Sequence, residues 1–277
     1  MALVDGFGRS FHYLRLSVED ACNFRCRYCL PNGYHKAETD SPLSVAEIGR
    51  LIRAFAGIGF WKVRLTGGEP TVRQDIIQIA ETAARAPGVR RVALSTNGYR
   101  LAELAADLQR AGICAVNVSV DSLEPARFAE LAGKDFLATV LAGIDRSLEL
   151  GLEAKINCVL MKGLNDGEFG RFVELARERP LGVRFIELMP VADNADFFAA
   201  HHLKASALVS WLGEQGWTER ARGEGDGPAR AFSKEGYAGS VGVIAPYAKD
   251  FCASCNRLRV TSRGRLRLCL FSEGEHS

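Results

Sequence analysis

The chain has 277 residues, of which 47% are hydrophobic, and 35 Lys and Arg against 33 Asp and Glu give a net charge of +2. This length suits one large α/β domain with an extension, or two domains, with enough apolar residues for a sizeable core. So mild a charge argues against a dedicated nucleic-acid-binding protein, and no apolar run is long enough to span a membrane. We therefore expect neither a nucleic-acid nor a membrane partner.

The first predicted strand, residues 13–18, leads into three closely spaced cysteines, Cys22, Cys26 and Cys29. Three thiolates leave one position of a metal centre open, whereas four would close it. A zinc site and disulfide bonds are the alternatives. Zinc would need a fourth ligand nearby, and disulfides need an oxidising compartment. The N-terminus lacks the apolar segment of a signal peptide, so we expect a cytoplasmic protein, in which disulfides are rare. Of the three alternatives we therefore favour iron–sulfur ligation.

A strand-then-helix unit recurs from residue 13 to about residue 190. Ser44 and Glu47 predict a capping box at the start of the first helix. Alternation of this kind is typical of a parallel sheet, and six units favour an incomplete (β/α)6 TIM-type barrel over the full barrel of eight. After the first strand, five more are predicted at residues 62–66, 91–95, 115–120, 153–160 and 182–188.

These strands alternate between apolar and polar side chains, although strands of a fully buried parallel sheet should be mostly apolar. Arg15, Arg64, Asn117 and Lys155 all lie on the polar faces. Since side chains alternate across a strand, the apolar faces would meet the helices and the polar faces would point into the barrel. The sequence therefore predicts a cationic, ligand-filled interior.

Gly67, Gly68 and Glu69 follow the second strand in the order Gly-Gly-Glu-Pro. Glycines let a backbone approach a ligand closely, and a carboxylate accepts hydrogen bonds from an ammonium group. Further along, residues 191–203 are predicted to be an exposed loop and residues 220–230 a mobile connection. We place a domain boundary between residues 1–215 and a C-terminal extension, 216–277.

The extension carries a second cysteine triplet, Cys252, Cys255 and Cys269. Arg257 and Arg259 follow its second cysteine and share one strand face. Together with the inward cations of the barrel they make a cluster that suits a triphosphate, since Arg binds phosphate oxygens in pairs and Lys adds point charge. A solvated strand is the alternative for any single one of these residues.

The first triplet resembles the signature of radical S-adenosylmethionine (SAM) enzymes. The segments LRLSVEDACNFRCRYCLP, KVRLTGGEPTVR and CNRLRVTSRGRLRLCLF together resemble the GTP 3',8-cyclase family of molybdenum cofactor biosynthesis. This resemblance implies a [4Fe–4S] cluster on each triplet, and SAM on the first. The implied SAM contacts are Tyr28, Gly68, Ser119 and Met189. The implied GTP contacts are Arg15, Arg64, Ser95, Lys155, Arg257 and Arg259, with Lys62 and Arg184 as further phosphate ligands.

In that family, SAM is cleaved to a 5'-deoxyadenosyl radical, which takes a hydrogen from the ribose C3' of GTP, and C3' then bonds to C8 of guanine. The resemblance thus implies a lyase that forms 3',8-cyclo-7,8-dihydro-GTP. It also implies a reductant such as flavodoxin or ferredoxin, a downstream pterin-forming enzyme, and a monomer or homodimer. One alternative is a radical SAM enzyme that modifies peptides. Another is a truncated, cluster-binding member without turnover, because family members end in a Gly-Gly tail and this chain stops at Ser277.

Overall fold

A computed structural model describes residues 3–35, 41–190, 194–223, 225–249, 251–253 and 255–269. Residues 191–193 of the predicted loop, and the end of the chain after Cys269, lie outside the described residues. The described strands form a two-stranded hairpin and one eleven-stranded sheet. The hairpin joins β1 (Leu3–Val4) to β2 (Ser10–Phe11).

Six parallel strands form the centre of the large sheet and follow one another in chain order. All six were predicted, and their observed ends lie close to the predicted ones. Sequential parallel pairing requires a crossover between each strand and the next, which the helices supply. The six strands are β3 (Tyr13–Glu19), β4 (Lys62–Gly67), β5 (Arg91–Thr96), β6 (Ile113–Ser119), β7 (Glu153–Leu160) and β8 (Gly182–Glu187).

Eight α-helices lie in the described part of the chain. The predicted capping box is confirmed, because the Ser44 side chain accepts from the Glu47 N–H and the Glu47 side chain accepts from the Ser44 N–H. The helices are α1 (Val45–Gly57), α2 (Ile76–Ala84), α3 (Leu101–Arg110), α4 (Pro125–Ala132), α5 (Leu137–Glu149), α6 (Phe169–Glu174), α7 (Ala195–His201) and α8 (Ala205–Glu214).

The prediction of a loop over residues 191–203 was wrong from Ala195 onward, where α7 begins. Aromatic pairs four residues apart account for this helix. Phe197 lies 4.6 Å from His201 and Phe198 lies 4.7 Å from His202, measured between ring centroids. Such pairs stack along one helix face and stabilise a short helix that has no apolar stripe.

The C-terminal strands extend the sheet on both sides. On one side β11 (Ser240–Ile244) lies parallel to β8, followed by β10 (Arg230–Ser233) and β9 (Thr218–Arg220). On the other side β12 (Arg257–Val260) lies parallel to β3, followed by β13 (Leu266–Arg267). The strand that carries the arginines of the second triplet therefore neighbours the strand that leads to the first.

The two faces of the central strands differ as predicted. Leu14 and Leu16 of β3 are fully buried and belong to the same core as Ile48 and Ile52 of α1. The opposite face carries polar side chains, of which Arg64 is 6% exposed. Burying a charged group without a partner is costly, so this face must be matched by neighbouring polar groups or by a ligand.

Candidate active site

The thiols of the first triplet face one cavity. Cys22 follows β3, and a tight turn places the Cys29 N–H 2.9 Å from the Cys26 carbonyl. The cavity has a volume of about 240 Å³ and is lined by all three cysteines together with Gly68 and Ser119. All eight cysteines of the chain are free thiols, which counts against the disulfide alternative.

The charge state of these thiols depends on what binds them. Burial raises the pKa of Cys22, Cys26 and Cys29, so the empty pocket favours neutral thiols. A bound metal centre reverses this preference, because coordination deprotonates a thiol outright. Three thiols that line one cavity suit a cubane, because a cubane distributes its thiolates over separate irons.

Gly68 is required by close packing of backbone on backbone. Its N–H donates to the Glu19 carbonyl at 2.8 Å, and a Cβ at this position would lie 2.4 Å from the Asp20 carbonyl oxygen and 2.5 Å from that of Ala21. The Gly-Gly turn after β4 is thereby fixed against the segment that leads into Cys22. The two loops form adjacent walls of the first cavity.

Glu69 has a structural role in addition to the predicted one. Its carboxylate is fully buried and accepts hydrogen bonds from the Thr71 N–H and hydroxyl, the Thr96 hydroxyl and the Asn97 N–H. The contact of Glu69 with a ligand's ammonium group stays a prediction. This carboxylate ties the turn after β4 to the end of β5, and so stabilises the cavity wall from behind.

Tyr28 is held at both its ends by residues that sequence reasoning missed. Its hydroxyl donates to Asp121 at 2.9 Å, and its carbonyl accepts from the Asn194 side chain at 2.8 Å. Burial raises the pKa of Asp121 to about 6, although the hydrogen bonds from the Val159 N–H and from Tyr28 act in the opposite direction. Asp121 follows a predicted strand and could have been noticed on that ground, whereas nothing local in the sequence marks Asn194.

The second triplet lines a smaller cavity of about 130 Å³. Its cysteines share this cavity with Arg15, Met189, Arg257 and Arg259. Met189, predicted as a SAM contact, thus lines the second cavity, although Asn194 bonds to both the Met189 and Tyr28 carbonyls. Arg9 was missed: its guanidinium donates to the Cys252 carbonyl at 3.0 Å.

Cations occupy consecutive positions across neighbouring strands between the two triplets. In register, Arg259 of β12 lies beside Arg15 of β3, which lies beside Arg64 of β4. Burial, together with the charges of Arg259 and Arg64, lowers the pKa of Arg15 to about 9. The Arg15 Nε is buried without a hydrogen-bond partner. An unpaired buried donor among repelling cations indicates a site built for an anion.

The remaining predicted cations lie on the same face. Lys62 donates to the Gly225 carbonyl at 2.7 Å, which anchors the segment predicted as a mobile connection. Burial lowers the pKa of Lys62 and of Lys155. For Arg184, burial together with the charge of Arg64 lowers the pKa to about 10, so Arg184 belongs to the cationic face. Ser95 accepts from Arg64 at 3.2 Å and lines the first cavity.

Arg15 is common to the whole site. It lines the first cavity, the second cavity and a third of about 380 Å³, which Arg259 and Arg267 also line. The site thus consists of two three-cysteine pockets and a cationic space that adjoins both. Among the described residues, no helix is long and apolar enough to cross a bilayer.

Two family models cover most of the chain. Residues 16–176 match the radical SAM superfamily, and residues 181–277 match Molybdenum Cofactor Synthesis C. The fold is also similar to that of solved structures. SuiB of Streptococcus suis, bound to S-adenosylmethionine, superposes with a TM-score of 0.68 at 14% identity over 96% of this chain and 63% of SuiB. The anSMEcpe structure with bound AdoMet and a peptide gives 0.54 at 17% identity over 73% of this chain and 58% of that one.

Sequence relatives are much closer. The GTP 3',8-cyclase of Stenotrophomonas maltophilia strain R551-3 is 52% identical over 272 residues, which span 98% of this chain and 83% of the relative. That of Actinobacillus succinogenes is 50% identical over 273 residues, which span 98% of this chain and 81% of the relative. The chain therefore belongs to the GTP 3',8-cyclase family of radical SAM enzymes.

Proposed function

We propose that this enzyme converts GTP to 3',8-cyclo-7,8-dihydro-GTP within the cationic space, as a lyase of molybdenum cofactor biosynthesis. The observation that carries the proposal is the position of Arg15, which lines both three-cysteine cavities and the third, cationic cavity. One guanidinium that is common to all three can contact a ligand that extends from one cavity to another. GTP has the required parts, an anionic tail and a purine at the opposite end.

In this proposal Cys22, Cys26 and Cys29 hold the [4Fe–4S] cluster of the radical SAM family. Tyr28, Gly68, Ser119 and Met189 contact SAM. When bound, this cluster supplies the electron that cleaves SAM, and the carbon radical so released takes the hydrogen from the ribose C3' of GTP. The protein's part is to align the two substrates: the Asp121 carboxylate fixes the Tyr28 ring through a 2.9 Å hydrogen bond. Asn194 fixes the backbones of Tyr28 and Met189 together.

Cys252, Cys255 and Cys269, which line the second cavity, would hold a second [4Fe–4S] cluster, and its open iron would bind the purine. The cations of the inner strand face hold the triphosphate, and Ser95 adds a hydroxyl. These cations are Arg15, Arg64, Lys155, Arg257 and Arg259, with Lys62 and Arg184. Charge-assisted bonds from guanidinium groups are the strongest available for phosphate oxygens, and they offset the repulsion among the buried cations.

The proposed architecture is an incomplete (β/α)6 barrel, residues 1–215, with the second cluster in an extension, residues 216–277. Flavodoxin or ferredoxin serves as the reductant, and a pterin-forming enzyme uses the product. The enzyme acts as a monomer or homodimer. A peptide-modifying activity has less support. SuiB and anSMEcpe have been solved with peptides, but at 14% and 17% identity they show only a shared fold.

The test is anaerobic reconstitution followed by incubation with reductant, SAM and GTP. We expect roughly eight irons per chain, four for each cubane, and a nucleotide product with the mass of the cyclised compound. A variant with Cys22, Cys26 and Cys29 changed to Ala should retain about half of the iron and form no product. Stoichiometric zinc, or SAM cleavage without any change to GTP, would overturn the proposal.

A further inference from the structure

A tyrosine that the sequence did not single out lies in the middle of the cations. Tyr13 is the first residue of β3 and is 5% exposed. In register it lies between Arg257 of β12 and Lys62 of β4. Its hydroxyl oxygen accepts a hydrogen bond from the Arg64 Nε, and the Lys62 Nζ lies 4.8 Å from the centre of its ring.

This contact fixes the plane of the Arg64 guanidinium. Arg64 Nε is bonded to Tyr13, while Nη1 reaches the Leu94 carbonyl at 3.3 Å and the Ser95 hydroxyl at 3.2 Å. A guanidinium held on both sides keeps its fork in one orientation, and a pre-oriented fork loses less conformational entropy when it binds phosphate. Tyr13 thereby acts on the ligand through Arg64.

Six cations of the described strands lie around the phenol. Arg15 comes from its own strand, Lys62 and Arg64 from β4, Arg257 and Arg259 from β12, and Arg184 from β8. Burial alone would raise the pKa of Tyr13, but the charges of Arg64, Arg15 and Lys62 and the bond from Arg64 lower it to about 7. Near neutral pH the phenol therefore divides between two protonation states while the site is empty.

We propose that Tyr13 is a positioning residue of the phosphate site and that it couples triphosphate binding to the uptake of one proton. This rests on the proposed function, since the ligand is the triphosphate of GTP. In the empty site the phenolate partly neutralises the cations. When the phosphates bind and neutralise the cations instead, the phenolate oxygen takes a proton from solvent. The neutral hydroxyl still accepts from Arg64 Nε, so the orientation of the guanidinium is kept in the complex.

The sign of the pH dependence follows from linkage. Phosphate charges beside Tyr13 raise its pKa in the complex, so the complex holds more protons than the free protein. Triphosphate affinity is then highest below pH 7 and falls as the pH rises through 7, where the free phenol ionises. From pH 6 to pH 8 the loss attributable to Tyr13 is about tenfold, because a phenol with a pKa of about 7 goes from mostly protonated to mostly ionised over this interval.

Titration calorimetry on the reconstituted protein tests this, with GTP and tripolyphosphate as ligands. The parent, Tyr13→Phe and the control Tyr237→Phe are compared from pH 6 to pH 8, in two buffers that differ in their heat of ionisation. Tyr237 suits the control because its hydroxyl bonds to Arg177 on the outer surface. Titration of the ligand's own phosphate affects all three proteins equally and cancels in the comparison.

We expect net proton uptake near pH 7 in the parent and in Tyr237→Phe, and up to one proton less in Tyr13→Phe. At pH 6 the Tyr13→Phe variant should bind two- to tenfold more weakly, the usual value of one lost hydrogen bond. Its affinity should equal or exceed that of the parent by pH 8, since the parent has by then lost about tenfold through Tyr13. If the parent binds both ligands with the same pH profile and proton count as Tyr13→Phe, the inference fails and the proposed function stands. If the parent binds neither ligand, both fail.

Discussion

At the scale of single residues, Gly68 has a structural role that the sequence motif did not indicate. The Gly-Gly-Glu-Pro motif predicted a close approach of backbone to ligand. The structure adds a closer approach of backbone to backbone, because a Cβ on Gly68 would meet the carbonyl oxygens of Asp20 and Ala21. Both carbonyls belong to the segment that leads into Cys22, so a side chain here would displace the first triplet itself.

We predict that Gly68→Ala lowers the iron content of the reconstituted protein by about half, from roughly eight irons towards four. The cause is displacement of the Cys22 segment, since backbone cannot move away as a flexible side chain can. Iron analysis and the cluster absorbance measure it. Gly170→Ala is the matched control, because an added Cβ there has nothing within 4 Å. Full iron in Gly68→Ala, with SAM cleavage lost, would mean that the glycine serves only the ligand.

Glu69 and Tyr13 show what residue-level reasoning could not reach. The sequence places both beside residues of the site, but the direction of each side chain depends on partners distant in the chain. Glu69 is bonded to Thr96, and Tyr13 lies beside Arg257. Cysteine spacing, by contrast, is a local property of the sequence. This is why both triplets could be identified, whereas Arg9 and Asn194 could not.

At the scale of elements, the alternation of strands and helices was predictable because each unit carries its own hydrophobic period. The six central strands satisfy a period of two, and α1 and α5 satisfy the period of a helix. α7 has no such period and was missed. The pairing of β12 with β3 was also beyond local reasoning, since it joins segments from opposite ends of the sequence.

The capping box of α1 was predicted correctly, and its contribution to the free energy of unfolding can be predicted as well. We predict that Ser44→Ala destabilises the protein by about 1 kcal/mol, because the α1 capping box then loses its bond to the Glu47 N–H. Denaturant unfolding of the parent and the variant measures the difference. Ser210→Ala, at an exposed position within α8, serves as control and should be neutral or slightly stabilising. Equal loss in both variants would show that the cap carries no free energy of its own.

At the scale of the whole molecule, the cationic face costs stability until an anion binds. Burial lowers the pKa of Arg259 to about 10, and the charge of Arg257 adds to the shift. Each such cation is charged at neutral pH. Its desolvation and its repulsion by neighbouring cations therefore lower the stability of the ligand-free protein.

We therefore predict that Arg259→Met raises the unfolding temperature of the ligand-free enzyme by roughly 2–4 °C, about 1 kcal/mol for a domain of this size. GTP at a hundred times its dissociation constant should stabilise the parent by about 2.7 kcal/mol, and should stabilise the variant much less at the same concentration. Calorimetric scans with and without GTP measure both effects. The exposed ion-paired Arg230 provides the control, Arg230→Met. A lower unfolding temperature for ligand-free Arg259→Met would show that Arg259 stabilises the empty fold.

The parallel pairing of β12 with β3 also sets an order of events during synthesis. The edge of β3 that receives β12 carries unpaired N–H and C=O groups until residues 257–260 have been made, and such an edge is prone to join other chains. Closing so long a loop is slow compared with forming the local strand–helix units. The first triplet can thus be shaped on a nascent chain, whereas the second must wait for its far end. The two triplets therefore become available in a fixed order, and a chain interrupted between them keeps the unpaired edge of β3, which makes it prone to aggregate.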